Sequence, residues 1–441
     1  MKGSPGLILC IDQGTTSTRA IVFDPSGRRL AHAARPLNQI FAKPGWVEHS
    51  ADEIWAATET VCREVLSEIA EPQRVAVIGV TNQRETTVVW DRKTGRPIYN
   101  AIVWQDRRTA DACRALRSRG LEAAIARKTG LLADPYFSAT KLAWLLDNVP
   151  DARARAEAGE LAFGTVDSWL IWNLTAGKSH VTDITNASRT MLFNIRDRNW
   201  DHEILDWLSI PASMLPDVLP CTGEFGVTLF REFNLECPVH GVAGDQQAAT
   251  VGQGCIDPGM IKATYGTGCF ALLNTGDDRV SSQSRLLSTI AYDTGAERAF
   301  ALEGSIFMAG ATMQWLRDSL GLFEQAEETE QLARSAKPSD VVFVPAFVGL
   351  GAPYWDPDAR GAILGMTRDT GINELVAAAL EASCFQTCDL IEAMASDTGV
   401  RPEIIRVDGG MANNRWFLQR LSDLTGCRVE RPENGETTAL G

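Results

Sequence analysis

Three short glycine-bearing turns, each following an apolar strand-like run, constrain this chain more than any other feature. They are Asp12-Gln13-Gly14-Thr15-Thr16-Ser17 after Leu7 to Ile11, Tyr265-Gly266-Thr267-Gly268 after Met260 to Thr264, and Asp408-Gly409-Gly410 after Ile404 to Val407. Small residues let the backbone approach a phosphate closely, and hydroxyls and amides supply donors there without a lysine. Any one of these turns is explained by a tight hairpin. Three in one chain, two with an aspartate at the strand end, point to a nucleotide clamped between two domains.

Other phosphate-binding devices are missing. There is no G-x-x-x-x-G-K-[ST], no G-x-G-x-x-G opening a helix, and no protein-kinase catalytic set. Charge narrows the choice further. With 42 basic against 56 acidic residues the formal net charge is −14, the wrong sign for wrapping nucleic acid, which relies on clustered Lys and Arg. A bound nucleotide must therefore be attracted locally, by amides, a few arginines or a metal. The run Leu7 to Ile11 is cut short by Asp12, no stretch approaches eighteen apolar residues, and no signal-peptide core is present. Ten scattered cysteines without C-x-x-C, and five dispersed histidines, read as reduced, mostly buried thiols. The expectation is a soluble cytoplasmic α/β protein with no membrane insertion and no nucleic-acid partner.

At 441 residues the length suggests about two or three domains. Strand-like runs at Leu7 to Ile11, Arg19 to Asp24, Val75 to Val80 and Thr86 to Trp90 interleave with a helical pattern from Asp52 to Ala70, which argues a layered α/β fold. The second half echoes the first: strand, polar glycine turn, strand recurs from Met260 to Asn274. The echo implies two related domains, 1–252 and 253–441, meeting in a Gly- and Pro-rich stretch near Gly252 to Gly259. The clearest helix spans Glu374 to Ser396, with Asn373 as its expected cap, Gly399 after it, and a length of about 34 Å.

Two polar clusters stand out. Asp245 follows a glycine before an apparent helix, where it reads either as a helix cap or as a general base or metal-associated carboxylate. Thr81 to Thr86 strings polar residues between two strand-like runs. It reads either as a salt-bridged surface loop or as a clamp for a polyol, whose hydroxyls each need donors and acceptors. Trp104 and Tyr136, close to Asp106, Arg107 and Asp134, read locally as core aromatics.

These residues together resemble the FGGY carbohydrate kinases. Asp12 to Arg19 is similar to the family's phosphate-binding start, Tyr136 to Leu145 to its first signature, and Gly361 through Gly365 to Leu380-Glu381 to its second. Pro44 to His49, Thr81 to Thr87, Phe163 to Asp167, Thr185 to Thr190 and Ala243 to Gln247 resemble members that act on glycerol. The resemblance runs from about Leu7 to Gly441. It implies two ribonuclease-H-like domains of the actin-like ATPase type with a central cleft, using ATP and Mg2+ to convert glycerol to sn-glycerol 3-phosphate. It implies that Arg84, Glu85, Tyr136, Asp245 and Gln246 hydrogen-bond the triol, that Trp104 and Phe270 pack its carbon edge, and that Asp245 is the base. It places Asp12 and Asp245 near the metal. Gly14, Thr15, Thr16, Ser17, Arg19, Thr267, Gly268, Gly310, Gln314, Gly410 and Asn414, with Asp12, match nucleotide contacts. A homodimer or homotetramer is implied as well.

Two departures qualify this picture. Thr228 to His240 lacks the glycine-rich basic loop through which some bacterial relatives bind fructose 1,6-bisphosphate, so that inhibition is not expected. The chain also stops at Gly441, inside a motif that continues for several dozen residues in relatives, which leads us to expect weak activity or reduced stability. Two rival readings stay open: a kinase for another polyol or sugar such as erythritol or xylulose, and a non-catalytic ATP-binding protein of the actin-like superfamily.

Overall fold

The computed structural model describes residues 6–356, 358–433 and 435–441. The chain divides into two compact units. One comprises the described residues of Met1–Ala249 with Thr289–Arg298 and Thr438–Gly441; the other comprises Thr250–Ser288 and Ala299–Thr437.

The first sheet runs Thr222–Phe230, Leu235–Gly244, Val75–Asn82, Leu7–Gln13, Ser17–Phe23, Arg29–Pro36. Leu7–Gln13 is buried at every position but Ile8, and such a continuous apolar run suits a strand covered on both faces. It pairs antiparallel with Ser17–Phe23 and parallel with Val75–Asn82, which pairs parallel with Leu235–Gly244. The strands outrun their apolar cores. Asp12 pairs with Thr81 and Gln13 with Asn82, because backbone ladders extend through polar residues as readily as apolar ones. Helix Ala51–Glu68 is capped by Ser50, whose side chain accepts from the Glu53 N–H, and it buries Ile54, Val61, Val65 and Leu66. These share a core with Leu9, Ile11 and Val22, each such side chain contributing about 1.5–3 kcal/mol on burial. The run expected as a strand from Thr86 to Trp90 is instead Val88–Asp91, paired with Leu161–Gly164 in a separate ribbon.

The second sheet runs Leu287–Asp293, Arg298–Ile306, Cys269–Gly276, Ile261–Tyr265, Ile404–Asp408, Arg428–Glu430. Ile261–Tyr265 is antiparallel to Cys269–Gly276 and parallel to Ile404–Asp408. This repeats the arrangement around Leu7–Gln13, so the echo in the sequence is an echo of topology. Helix Ile372–Thr398 covers the sheet, sharing Val376, Leu380, Leu390, Ile391 and Met394 with a core that includes Ala263, Ile405 and Val407. At 27 residues it is about 40 Å long. Its cap corrects the sequence reading. Gly371 is the N-cap, its N–H donating to Glu374 Oε2 at 2.8 Å, and Asn373 lies inside the first turn. Gly399 ends the helix at φ +72°, the left-handed conformation that glycine adopts without strain. All ten cysteines are free, and all but Cys388 are buried. Among the described residues no helix is long and apolar enough to cross a membrane.

Candidate active site

In α/β sheets, ligands gather beyond the carboxyl ends of parallel strands. Three adjacent parallel strands of the first unit end level: Gln13 pairs with Asn82, and Asn82 with Gly244. The segments leaving these three ends are therefore brought together: the turn Gly14 to Ser17, the polar run Gln83 to Thr87, and helix Asp245–Gly252. Residues 14, 83 and 245 are far apart in sequence, and the sheet makes them neighbours.

Thr81 to Thr87 is not a surface loop. Every residue in it is at most 3% exposed, so its polar groups must be satisfied internally. Gln83 Nε2 donates to Gln13 Oε1 at 3.1 Å and to the Gly14 carbonyl at 3.2 Å, tying the run to the glycine turn. Gln83 Oε1 accepts from Thr86 Oγ1 at 2.9 Å. Asn82 and Asn186 exchange reciprocal amide bonds at 3.0 Å. Asn186 in turn donates to Asp183 Oδ1 at 2.8 Å. A polar layer contributed by Asp183 to Arg189 thus lies beneath the clamp.

On that layer sit the candidate polyol-binding groups. Arg84 Nε lies 3.3 Å from Asp245 Oδ1, while its Nη1 donates to Gln247 Oε1 at 3.2 Å and its Nη2 to Tyr136 Oη at 3.4 Å. Gly244 permits this placement: a Cβ there would come within 2.8 Å of the Arg84 side chain. Asp245 is the first residue of its helix and not the residue before it, and its Oδ1 accepts from the Gln246 N–H at 2.7 Å. The Asp245 side chain is 30% exposed beside an Arg84 that is almost fully buried, so a fixed carboxylate keeps an open flank. Glu85 holds φ +59°, an uncommon conformation for a non-glycine residue. Its carboxylate accepts from Arg189 Nε at 2.7 Å, and its carbonyl accepts from Ser138 Oγ at 3.0 Å. Tyr136 and Trp104 meet edge-to-face with centroids 5.7 Å apart, and Trp104 Nε1 donates to Thr15 Oγ1 at 2.9 Å. Gln246 is 7% exposed.

The turn Gly14 to Ser17 closes with a Gly14 N–H to Ser17 carbonyl bond at 2.9 Å. Arg19, expected as a nucleotide contact, is here the ion-pair partner of Asp12, directly across the hairpin. Asp12 and Ala243 flank Thr81 from opposite sides, so at the usual strand spacing they stand about 10 Å apart. Among the described residues there is no group of three or more His, Cys, Asp or Glu able to hold a metal. Where substrate phosphates and water complete the shell, Mg2+ needs only one or two protein carboxylates; the two expected for it, Asp12 and Asp245, are here ion-paired with Arg19 and Arg84.

The remaining expected nucleotide residues belong to the second unit. Gly266, Thr267, Gly310, Gln314, Gly410 and Asn414 line a cavity of about 550 Å3. Its floor is backbone against backbone. The Ala309 and Gly310 N–H groups donate to the Thr267 and Gly266 carbonyls at 3.0 Å, setting the start of helix Gly310–Asp318 on the glycine turn. Gly268 sits in the same turn, its carbonyl accepting from the Gly266 N–H at 2.9 Å. Asn414 also caps helix Arg415–Thr425, accepting from the Phe417 N–H at 2.9 Å. Phe270 stands on strand Cys269–Gly276, half-buried.

Sequence reasoning singled out the segments of the supporting layer but gave Arg189, Lys141 and Asp167 no role. Arg189 is fully buried against Glu85, and Lys141 is fully buried with Nζ donating to the Tyr136 carbonyl at 2.7 Å. Asp167 is fully buried too, accepting from Thr165 and Thr182 hydroxyls at 2.5 and 2.6 Å. Burial, helped by Asp183, pushes its carboxyl up to about 6. Their signal in the sequence was a lone charge among small and hydroxyl residues, as in Ser138-Ala139-Thr140-Lys141, which surface helices show equally often.

Comparison with known proteins fits this geometry. Residues 7–252 match the N-terminal domain of the FGGY family of carbohydrate kinases, and residues 261–441 match its C-terminal domain. A glycerol kinase of Alcanivorax borkumensis is 59% identical over 436 residues, covering 98% of this chain and 88% of its own. Glycerol kinase 1 of Pseudomonas aeruginosa is 57% identical with the same coverage. The crystal structure of Plasmodium falciparum glycerol kinase with ADP superposes with a TM-score of 0.91 at 37% identity, covering all of this chain and 88% of its own. Xylulose kinase from Lactobacillus acidophilus, ligand bound, reaches a TM-score of 0.87 at 23% identity, covering 99% of this chain and 87% of its own. That likeness is one of fold.

Proposed function

The chain belongs to the FGGY family of carbohydrate kinases, and from that premise we propose that it transfers the γ-phosphoryl group of ATP to a terminal hydroxyl of glycerol. The products are sn-glycerol 3-phosphate and ADP. The observation that carries this reading is the set in which a buried Arg84 bridges Asp245, Gln247 and Tyr136. It offers fixed donors and acceptors at the carboxyl ends of three parallel strands, as a triol needs.

An alcohol is a poor nucleophile at neutral pH, and a positioned carboxylate typically helps by about 10²–10⁴-fold. Asp245 takes the proton of the attacking hydroxyl through its open flank, while Arg84 and the Gln246 N–H hold the carboxylate in place. Glu85, Tyr136 and Gln246 orient the other hydroxyls, and Trp104 covers the carbon edge. The new O–P bond forms as the bond from the γ-phosphorus to the bridging oxygen breaks, and ADP leaves. The glycine turn at Gly266 with Gly310, Gln314, Gly410 and Asn414 holds the nucleotide, mostly through backbone and uncharged groups. Asp12 and Asp245 are the residues that would hold Mg2+, which would supply charge neutralisation on the transferring group. The reaction belongs to the cytoplasm, where ATP is available and free thiols persist, and a homodimer or homotetramer is the assembly we assign to it.

Asp245→Asn tests the assignment. Steady-state turnover with glycerol should fall at least 100-fold, while ATP binding by calorimetry stays within a few-fold of the parent. Near-normal turnover would remove Asp245 from the role of base. A panel of glycerol, erythritol and xylulose on the unaltered chain tests the substrate: glycerol should give the highest kcat/KM.

A further inference from the structure

Residues 103–109 join strand Ala101–Ile102 to helix Ala110–Ser118 and contain no regular structure, so beyond Val103 no ladder fixes their position. They nonetheless carry Trp104, the indole that touches both Tyr136 and Thr15. What holds this segment is a buried ionic and aromatic cage around Arg108. The Arg108 side chain is 1% exposed, between Glu48 at 3% and Asp106 at 0%. Its Nη2 donates to Glu48 Oε1 at 2.7 Å and to Asp106 Oδ2 at 2.8 Å, and its Nε donates to Asp106 Oδ1 at 2.9 Å. The guanidinium plane lies 3.7 Å from the Trp46 ring centroid and 4.7 Å from that of Trp144. Tyr99 and Asn100 complete Glu48, donating to its two carboxylate oxygens at 2.9 and 2.8 Å. The backbone is stitched to the same segment: the Val47 N–H donates to Asp106 Oδ2 at 2.6 Å, the Val103 N–H to the Val47 carbonyl at 3.0 Å, and the Arg107 N–H to the Gly45 carbonyl at 2.8 Å.

This cage is built from residues other than the candidate polyol-binding groups. A charge this deeply buried, bonded to two acids through Nε and Nη2, stacked on two indoles and with Nη1 left without a hydrogen-bond partner among the described residues, is a costly and directional device. We propose that Arg108 is a positioning residue for the polyol site, setting the placement of Trp104 and thereby the apolar wall against which the substrate's carbon edge packs. The inference rests on the functional reading above, that the site takes a polyol. A lysine at this position has neither the planar fork nor the stacking face, so the segment carrying Trp104 would lose its ionic support. Trp104 would be left to its bonds to Thr15 and Thr86 and its contact with Tyr136, while Asp245, Arg84 and the nucleotide cavity of the second unit keep their own contacts.

The test is a double-variant cycle. Arg108→Lys should raise the KM for glycerol about tenfold, with kcat within about threefold and the KM for ATP within about twofold of the parent. Trp104→Phe should raise the glycerol KM to a similar extent, and adding Arg108→Lys to it should change that KM by less than about twofold. A folded Arg108→Lys protein with the parent's glycerol KM would overturn the proposal, as would effects that multiply in the double variant. If Arg108→Lys does not fold, Trp46→Phe, which removes one stacking face and keeps both ion pairs, should raise the glycerol KM about threefold in the same selective way. An unchanged glycerol KM there would also overturn it. If the unaltered chain prefers another polyol, the functional reading falls, and the same cycle run on that polyol still decides the role of Arg108.

Discussion

Lys141 is a charge placed where water does not reach, and it shows how a single side chain acquires properties that its neighbours in sequence do not announce. Burial pushes its ammonium down to about 7, against the pull of Glu85, Asp106 and Asp134, which favour the charged form, while Arg107 adds to the depression. The unfolded chain has an ordinary lysine near 10.4. Between about 7 and 10 the unfolded state therefore binds more protons than the folded one, so stability rises with pH across that window. We expect the urea midpoint of the parent to climb from pH 7 to pH 10 relative to that of Lys141→Met, with the difference between the two flattening below pH 7. Parallel pH profiles for the two proteins would show that Lys141 stays protonated. The residues that touch substrate in the proposed reaction were readable as a motif: Arg84, Glu85 and Asp245. That Thr81 to Thr87 is buried throughout, and that Glu85 takes a strained backbone against Arg189, was not readable. Burial is a property of what packs over a segment, and nothing local in a polar string separates an interior clamp from a solvated loop.

Strands and helices obey more local rules, and here the sequence served better. Apolar runs located Leu7–Gln13, Val75–Asn82 and Ile404–Asp408, and period-3.6 patterning located the helices Ala51–Glu68 and Ile372–Thr398. The errors fell at ends and partners: Gly371 and not Asn373 caps the long helix, and Val88–Asp91 pairs outside the main sheet. Caps depend on which residue leaves helical geometry, and pairing depends on distant segments, so both elude a local pattern. The glycine turns have consequences that can be tested. A Cβ on Gly310 would stand 2.5 Å from the Gly266 carbonyl oxygen, a distance real side chains do not tolerate. Gly310→Ala must push the helix start off the turn that lines the cavity. We expect a stability loss of about 1–3 kcal/mol, as for other overpacked sites, and at least tenfold weaker ADP binding by calorimetry. Parent-like ADP affinity would mean that the cavity lined by Gly310 is not where the nucleotide sits.

The molecule as a whole carries a net charge of −14 and binds, in the proposed reaction, a polyanion. The attraction must then be short-range, while the long-range field opposes approach. Raising ionic strength from about 0.01 to 0.15 M shrinks the Debye length from about 30 to 8 Å, which screens the repulsion and leaves amide and hydroxyl contacts untouched. Stopped-flow association of a fluorescent ATP analogue should accelerate over that range; a steady fall would reveal a positive field at the nucleotide site that outweighs the net charge. The sequence alone determined the class of fold, the repeated hairpin in each half, the absence of lysine-based phosphate loops and the family, because periodicity and motif spacing are written along the chain. The packed structure decided which motifs become one site. Gln13, Asn82 and Gly244 end three neighbouring strands at one level, and the registers that align them come from side chains meeting across the sheet. It also decided where the chain's buried charges, Arg108, Arg189, Lys141 and Asp167, find partners or shift their protonation. Neither register nor desolvation can be read from one segment, since each depends on what other segments pack against it.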